Sequence, residues 1–310
     1  MTTPRRTFLR HAALATTTLL AVSPSLFGAE RPAGRRRIGF VDLNLDNYHA
    51  NVFLQALRGP LKDRGFTVAG CTGTATDASR AWAEKNGIPY FDADARLNEA
   101  VDGFMILAPS NPEVHMALCE RILSFGKPCC VDKTFAPDAA TARRIFALAD
   151  QHRTPVQTTS ALRYTNVQEA AAGAGPVEHM ITWGGGGSFD EYAIHPLELL
   201  ISVMGPEATG LMRRGTAERT QLLINFSEDR TGVVNVYPKS QTAFAASITT
   251  REATRHVEVD VSKIFVNNMA AVLDFFASGQ PNVDRRESMV LMELLDAARN
   301  RRAMEGFLPV

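Results

Sequence analysis

The chain has no net charge and lacks the features that mark several classes of protein. Its 33 lysines and arginines balance 33 aspartates and glutamates over 310 residues. It therefore supplies no long-range field for a polyanion, and we do not expect nucleic acid as a partner. Four cysteines are too few for a disulfide-stapled scaffold of this length. With 45% apolar and 21% charged residues, the composition is that of an ordinary globular chain.

Acidic residues are missing from the first 29 positions, which carry Arg5, Arg6 and Arg10. The apolar run that follows, residues 12–22, is about half of the roughly 20 residues that a membrane span needs. A small-residue stretch then leads to Ala29. This three-part pattern predicts an export signal, and its Arg-Arg-x-Phe-Leu core resembles a twin-arginine signal. We expect a periplasmic or extracellular protein that does not contact the membrane after signal removal.

From Arg36 onward, short apolar runs alternate with helical periods, which is typical of parallel βα units. Predicted strands cover 37–41, 67–71, 88–91, 101–107, 128–131 and 155–157, and predicted helices cover 48–62, 77–86, 112–125 and 138–152. After about residue 160, strands are predicted at 177–183, 210–214, 221–226, 231–236 and 244–249, followed by helices at 264–278 and 286–304. The fold class is therefore α/β plus α+β: a doubly wound parallel sheet over 36–160, then an antiparallel sheet with closing helices over 161–310.

The turn after the first strand lacks the three glycines of a dinucleotide-binding fingerprint. Positions 42, 44 and 47, where G-x-G-x-x-G would place glycine, hold Asp42, Asn44 and Asn47. A carboxylate there would lie beside the cofactor phosphate, at a cost of several kcal/mol if desolvated. The second strand ends near Thr72 without an acid for the ribose hydroxyls. We expect no productive NAD(P) binding; the alternative is a degenerate site in which Thr72, Thr74 and Arg80 serve a 2′-phosphate.

Three later segments resemble one family of oxidoreductases. Residues 106–115, which include Pro109, resemble its strand-four signature, and residues 126–134 resemble its G-K-x-V-x-x-E-K-P segment. Residues 185–198 resemble its G-G-G-x-L-x-D-x-G-x-H-x-x-D segment. The family is Gfo/Idh/MocA. The resemblance implies a nicotinamide-binding Rossmann domain joined to an open-faced antiparallel sheet, with a sugar or polyol between them.

The resemblance assigns a catalytic Lys, Asp and His to Lys133, Glu191 and His195. It implies that His195 is a general base on a sugar hydroxyl and that Lys133 holds or protonates the developing oxyanion. Glu191 lies four residues before His195, so it could orient the imidazole from the same helix face. A buried ion-paired cluster without turnover is the alternative. Asp132 and Thr134 replace the Glu and Pro of the family's Glu-Lys-Pro.

Three further residues are candidates for substrate binding: Arg163, Tyr192 and His115. Arg163 matches an arginine of the family and could contact a hydroxyl or carboxylate, or form a structural salt bridge instead. His49 and His115 could join Glu191 and His195 as metal ligands, but no spacing requires it, so we expect no metal.

Three functions stay open. The first is an exported pseudo-oxidoreductase that transfers protons on a keto-sugar without NAD(P). The second is a conventional NAD(P)-dependent sugar oxidoreductase, and the third is a non-catalytic carbohydrate-binding or assembly protein. The apolar strands at 232–237 and 244–248 also predict a homodimer or homotetramer formed through the antiparallel sheet.

Overall fold

The computed structural model describes residues 36–310, which contain two β-sheets and the helices around them. The predicted export signal lies outside the described residues. No helix within 36–310 is both long and apolar enough to span a bilayer.

The first sheet is parallel and has five strands in the order β2-β1-β3-β4-β5. Its strands are β1 (Arg36–Asp42), β2 (Phe66–Gly73), β3 (Gly103–Ile106), β4 (Cys129–Asp132) and β5 (Val156–Thr159). Its crossovers contain α1 (Tyr48–Arg58), α2 (Thr76–Asn86), α3 (Asp94–Ala100), α4 (His115–Ile122) and α5 (Ala139–Gln151). Because β2 and β3 lie on opposite sides of β1, the strand order reverses there. Open α/β sheets bind ligands at such a switch point, outside the carboxyl ends of the strands.

The second sheet has seven strands in the order β11-β10-β6-β9-β8-β7-β12. They are β6 (Val177–Gly186), β7 (Ala208–Thr216), β8 (Arg219–Phe226), β9 (Thr231–Pro238), β10 (Ala245–Thr250), β11 (Thr254–Glu258) and β12 (Leu308–Pro309). The helices of this half are α6 (Asn166–Ala172), α7 (Phe189–Tyr192), α8 (Ile194–Met204), α9 (Ile264–Ser278) and α10 (Arg285–Arg299). The sheet is mixed, because β6 and β9 pair in parallel while the other neighbours are antiparallel.

The fold class predicted from the sequence is confirmed, with one strand corrected. Residues 88–91 were predicted to form the third of six parallel strands, but they contribute a single bridge between Cys71 and Tyr90. The Pro89 carbonyl accepts a hydrogen bond from the Cys71 amide at 3.0 Å, and the Phe91 amide donates to the Cys71 carbonyl at 2.9 Å. Pro89 itself has no N–H with which to extend the ladder.

Apolar packing joins the two halves of the chain. Helix α8 packs on β6 and β9, and α9 returns to pack against α1 beside the parallel sheet. Leu273 and Phe275 of α9 are fully buried in the same cluster as Phe40 and Phe53. Helix α9 belongs to the second predicted domain, yet it packs into the core around β1. The predicted domain limits at 36–160 and 161–310 stay a prediction.

Candidate active site at the carboxyl ends of the parallel strands

Polar side chains from both halves of the chain gather where the parallel strands end. Asp132 is the last residue of β4, and Lys133 follows it. His49 lies in the first turn of α1, and His195 lies in the first turn of α8. The sheet edge therefore brings together groups that are far apart in sequence, as the ligand crevice of an open α/β sheet does.

Lys133 is buried and held from two sides. Its side chain is 7% exposed, and Nζ donates a hydrogen bond to the Pro109 carbonyl at 3.1 Å. Its backbone N–H donates to Asp132 Oδ1 at 2.8 Å. These contacts fix the ammonium beside the loop after β3, where it can stabilise negative charge on a bound molecule.

His195 is an imidazole kept neutral. Its Nδ1 shares a hydrogen bond of 2.9 Å with Ser160 Oγ, and its ring lies 5.6 Å from Tyr192 and 5.8 Å from Phe244. Burial lowers the pKa of His195 well below its usual value, and the charges of Lys133 and His49 lower it further. Such an imidazole is a weak base at neutral pH but can still donate a hydrogen bond.

The glycine run at the end of β6 makes room for the aromatic rings around His195. A Cβ on Gly186 would lie 2.0 Å from the Tyr192 ring, and one on Gly184 would lie 2.6 Å from the Phe244 ring. Real Cβ atoms do not approach other atoms so closely. The run is therefore needed for packing in this structure, and it sets the walls of the site.

Glu191 is exposed and contacts the opposite lip of the site. Its Oε1 accepts a hydrogen bond from Ser110 Oγ at 3.1 Å. No hydrogen bond joins it to His195 within residues 36–310; the imidazole Nδ1 contacts Ser160 Oγ instead. The predicted orienting role is thus filled by a serine hydroxyl, while any direct role of Glu191 toward substrate stays a prediction.

A second histidine, which the sequence singled out only as a possible metal ligand, is paired with a carboxylate. His49 Nδ1 lies 2.5 Å from Asp132 Oδ2, and the two side chains are 12% and 4% exposed. Burial alone would raise the pKa of Asp132, but His49 and Lys133 outweigh burial and lower it. Asp132 ends β4 and His49 lies in the first turn of α1, and no spacing or motif in the sequence links the two residues.

The turn after β1 is filled by its own side chains. The Asp42 carboxylate, 1% exposed, accepts hydrogen bonds from the Asn44 amide at 3.1 Å and from Asn47 Nδ2 at 2.8 Å. Asn47 Oδ1 in turn accepts from the Ala50 amide at 3.0 Å and caps α1. Burial raises the pKa of Asp42 to about 6, against the effect of these hydrogen bonds and one from the Ala108 amide.

These contacts do not fit a dinucleotide. In dinucleotide-binding proteins, the turn and the helix start bind the pyrophosphate through free backbone amides. Here two of those amides, of Asn44 and Ala50, donate hydrogen bonds to the Asp42 and Asn47 side chains instead. The cleft between this turn and residues 108–111 measures about 170 Å³. Asp42 and Asp46 line it, and no lysine or arginine of the described residues does. Small-molecule sites usually measure about 300–1,000 Å³.

The residues at and after the end of β2, where the cofactor's ribose or 2′-phosphate would bind, also contact other parts of the chain. Thr72 is buried at 2% exposure, and Thr74 Oγ1 donates to the Leu43 carbonyl at 3.3 Å. Arg80 pairs with Asp92 and lies over the Tyr90 ring. A 2′-phosphate would compete with Asp92 for the Arg80 guanidinium.

Two predicted substrate-binding residues have protein partners instead. Arg163 lies between Glu198 and Glu287, with N···O distances of 2.5 Å to each. His115 is fully buried; its Nδ1 and Nε2 lie 3.1 and 2.7 Å from the backbone carbonyl oxygens of Phe135 and Leu107. Of the predicted substrate-binding set, Tyr192 is thus the one whose ring flanks His195. Within residues 36–310, no three His, Cys, Asp or Glu side chains gather in a way that could hold a metal ion.

Comparisons with known proteins show the fold. No family model matches the chain. A putative oxidoreductase, YceM of Salmonella typhimurium, is 32% identical over 89 residues, which is 29% of this chain and 28% of that protein. The chain therefore matches less than a third of this curated relative.

Solved structures match over most of the described chain. GenD2 from gentamicin A biosynthesis, in complex with NAD, has a TM-score of 0.75 at 14% identity, covering 89% of this chain and 97% of that one. Scyllo-inositol dehydrogenase from Lactobacillus casei and a myo-inositol dehydrogenase from Corynebacterium glutamicum both give a TM-score of 0.75, at 12% and 11% identity, each covering 89% of this chain and 98% of the other. The chain has the fold of Gfo/Idh/MocA-type dehydrogenases, and the predicted resemblance is confirmed at the level of the fold.

Proposed function

We propose that the chain is an exported, Gfo/Idh/MocA-like pseudo-oxidoreductase that transfers protons on a sugar or polyol without productive NAD(P) binding. One observation carries the proposal. The phosphate-binding turn is closed by the Asp42, Asn44 and Asn47 contacts, while Lys133 and His195 are held in place at the neighbouring strand ends.

The chemistry proposed is redox-neutral and therefore needs no hydride acceptor. Loss of a proton from a carbon next to a carbonyl leaves negative charge on the carbonyl oxygen. The buried Lys133 ammonium stabilises that charge strongly, because water does not screen it. Isomerisation and elimination on a keto-sugar both begin with this step. The inositol dehydrogenases among the similar structures support a polyol-like substrate.

Export and self-association belong to the same proposal. Export is supported by the Arg5-Arg6 pair and the short apolar run after it. Self-association is supported by the half-buried Ile181 and Val233, which pair across β6 and β9 on the same sheet face. Burying such a face against a second copy would remove an apolar patch from water.

Solvent-hydrogen exchange tests the proposed function. The mature protein is incubated in D₂O with D-glucose, D-fructose and 2-keto-myo-inositol, without added nicotinamide, and deuterium next to the carbonyl is followed by NMR. We expect exchange with at least one sugar, abolished in Lys133→Met but not in Lys62→Met, which alters an exposed lysine. Binding of the same sugar should survive Lys133→Met.

Two results would contradict the proposal. Release of one NAD(P) per chain on denaturation would indicate a conventional dehydrogenase. Sugar binding without exchange in the wild-type protein would indicate a carbohydrate-binding protein.

A further inference from the structure

We propose that His49, oriented by Asp132, is the general base of the candidate active site at the carboxyl ends of the parallel strands, and that His195 serves as a neutral hydrogen-bond donor to the substrate oxygen. The inference rests on the proposed function and assigns its proton-transfer step to particular nitrogen atoms. It reverses the expectation that His195 is the base.

The geometry of the His49–Asp132 pair fixes the tautomer of the imidazole. Asp132 Oδ2 lies 2.5 Å from His49 Nδ1, and Asp132 Oδ1 is held by the Lys133 amide at 2.8 Å. An ionised carboxylate can only accept hydrogen bonds, so Nδ1 carries the proton. The lone pair of neutral His49 is then on Nε2, which has no hydrogen-bond partner within residues 36–310.

Aromatic rings restrict the orientation of His49. The rings of Phe265, Phe53 and Tyr48 lie 5.3, 5.5 and 6.0 Å from the imidazole, all in edge-to-face geometry. The His49 side chain keeps 12% exposure. A general acid or base must be held in one orientation toward its substrate. The hydrogen bond from one ring nitrogen to a carboxylate and the packing against three aromatic rings restrict rotation of the His49 side chain in this way.

His195 has the opposite character. No carboxylate holds it within the described chain; Ser160 Oγ bonds its Nδ1 at 2.9 Å. Burial disfavours protonation of His195 most, and the charge of Lys133, together with that of His49 whenever His49 is protonated, disfavours it further. A neutral imidazole beside an ammonium can donate to an oxygen that gains negative charge.

The proposed step balances without an oxidant or reductant. His49 Nε2 takes the proton from the carbon next to the substrate carbonyl, and the C–H electron pair forms the C=C bond of an enediolate. The carbonyl π pair moves to oxygen, where Lys133 Nζ and the His195 N–H stabilise it. Return of a solvent-exchanged proton from His49 to the same carbon restores the substrate with the hydrogen replaced.

Imidazole ¹⁵N NMR tests the pairing without any turnover. In the wild-type protein we expect His49 to carry its proton on Nδ1 when neutral. Asp132→Asn should shift the proton to Nε2, because an amide N–H would then donate to Nδ1. A wild-type His49 with its proton on Nε2 would overturn the inference.

Exchange kinetics test the assignment of the base. His49→Gln and Asp132→Asn should each slow deuterium exchange about 100-fold or more, whereas His256→Gln, which alters an exposed histidine of β11, should leave it unchanged. Added imidazole should restore part of the rate in His49→Ala, which it would not do for a residue with a structural role alone.

The outcomes separate the two proposals. Exchange at the wild-type rate in His49→Gln overturns the base assignment and leaves the proposed function standing. No exchange in the wild-type protein overturns both.

Discussion

Replacing Asp42 by Asn should change how stability depends on pH. Asp42 is a buried carboxyl whose pKa rises from 3.8 to about 6 in the folded chain. Each pKa unit corresponds to about 1.4 kcal/mol, so the ionised carboxylate costs the folded state about 3 kcal/mol. Because the folded state binds this proton more tightly than the unfolded state does, stability falls as the pH rises from about 4 to 6. The cost is complete above pH 6.

Asp42→Asn removes the charge while keeping one oxygen as an acceptor for the Asn44 amide. We therefore expect the variant to gain stability relative to wild type as the pH rises, by about 2.5 kcal/mol between pH 4 and pH 7. The assay is urea unfolding at several pH values, reported as the difference in unfolding free energy between variant and wild type. Asp46→Asn in the same turn is the matched control, since Asp46 is exposed.

The shape of this difference tests the reasoning. Any hydrogen bond lost in the variant shifts the difference by the same amount at every pH, so the slope alone reports the buried charge. A difference that stays flat between pH 4 and pH 7, or that Asp46→Asn reproduces, would show that Asp42 does not titrate as a desolvated carboxyl.

Three further substitutions test the packing, the buried ion pairs and the oligomer. Gly186→Ala should destabilise the fold by about 1–3 kcal/mol, because its Cβ would overlap an aromatic ring; Gly173→Ala, which meets nothing within 4 Å, should not, as thermal unfolding would show. Arg163→Met should cost about 3–5 kcal/mol by leaving the buried Glu198 unpaired, and a loss below 1 kcal/mol in chemical unfolding would argue against a structural role. The wild-type protein should be a dimer or tetramer in light scattering and Val233→Glu a monomer; a monomeric wild type would refute association through this sheet face.

The sequence predicted helices and strands well where the apolar period and the residue that ends the element are both local. The apolar period of residues 264–278, stopped by Gly279, predicted α9 with the bounds that the structure gives. The segment at 88–91 is apolar like the strands that the structure confirms. Whether it forms a strand, however, depends on how it aligns with β2, and its local sequence does not determine that alignment. The parallel pairing of β6 with β9 is equally a long-range outcome.

The candidate site shows the same limit. The resemblance singled out Lys133 and His195, and in the structure Lys133 follows β4 while His195 contacts Ser160, the residue after β5. Their catalytic roles stay a prediction. Spacing of four residues suggested Glu191 as the partner of His195, but Ser160, 35 positions away, holds the imidazole. His49 and Asp132 are 83 positions apart, so only the folded chain could show that they pair.

Calorimetric titration of the protein with NAD⁺ and NADP⁺ tests the central claim most directly. The Asp42, Asn44 and Asn47 contacts occupy the turn that would hold the pyrophosphate. We therefore expect no binding heat in the micromolar concentration range for either dinucleotide. Saturable binding with a micromolar or tighter Kd would contradict it, because the turn would then accept a phosphate that these side chains are argued to exclude.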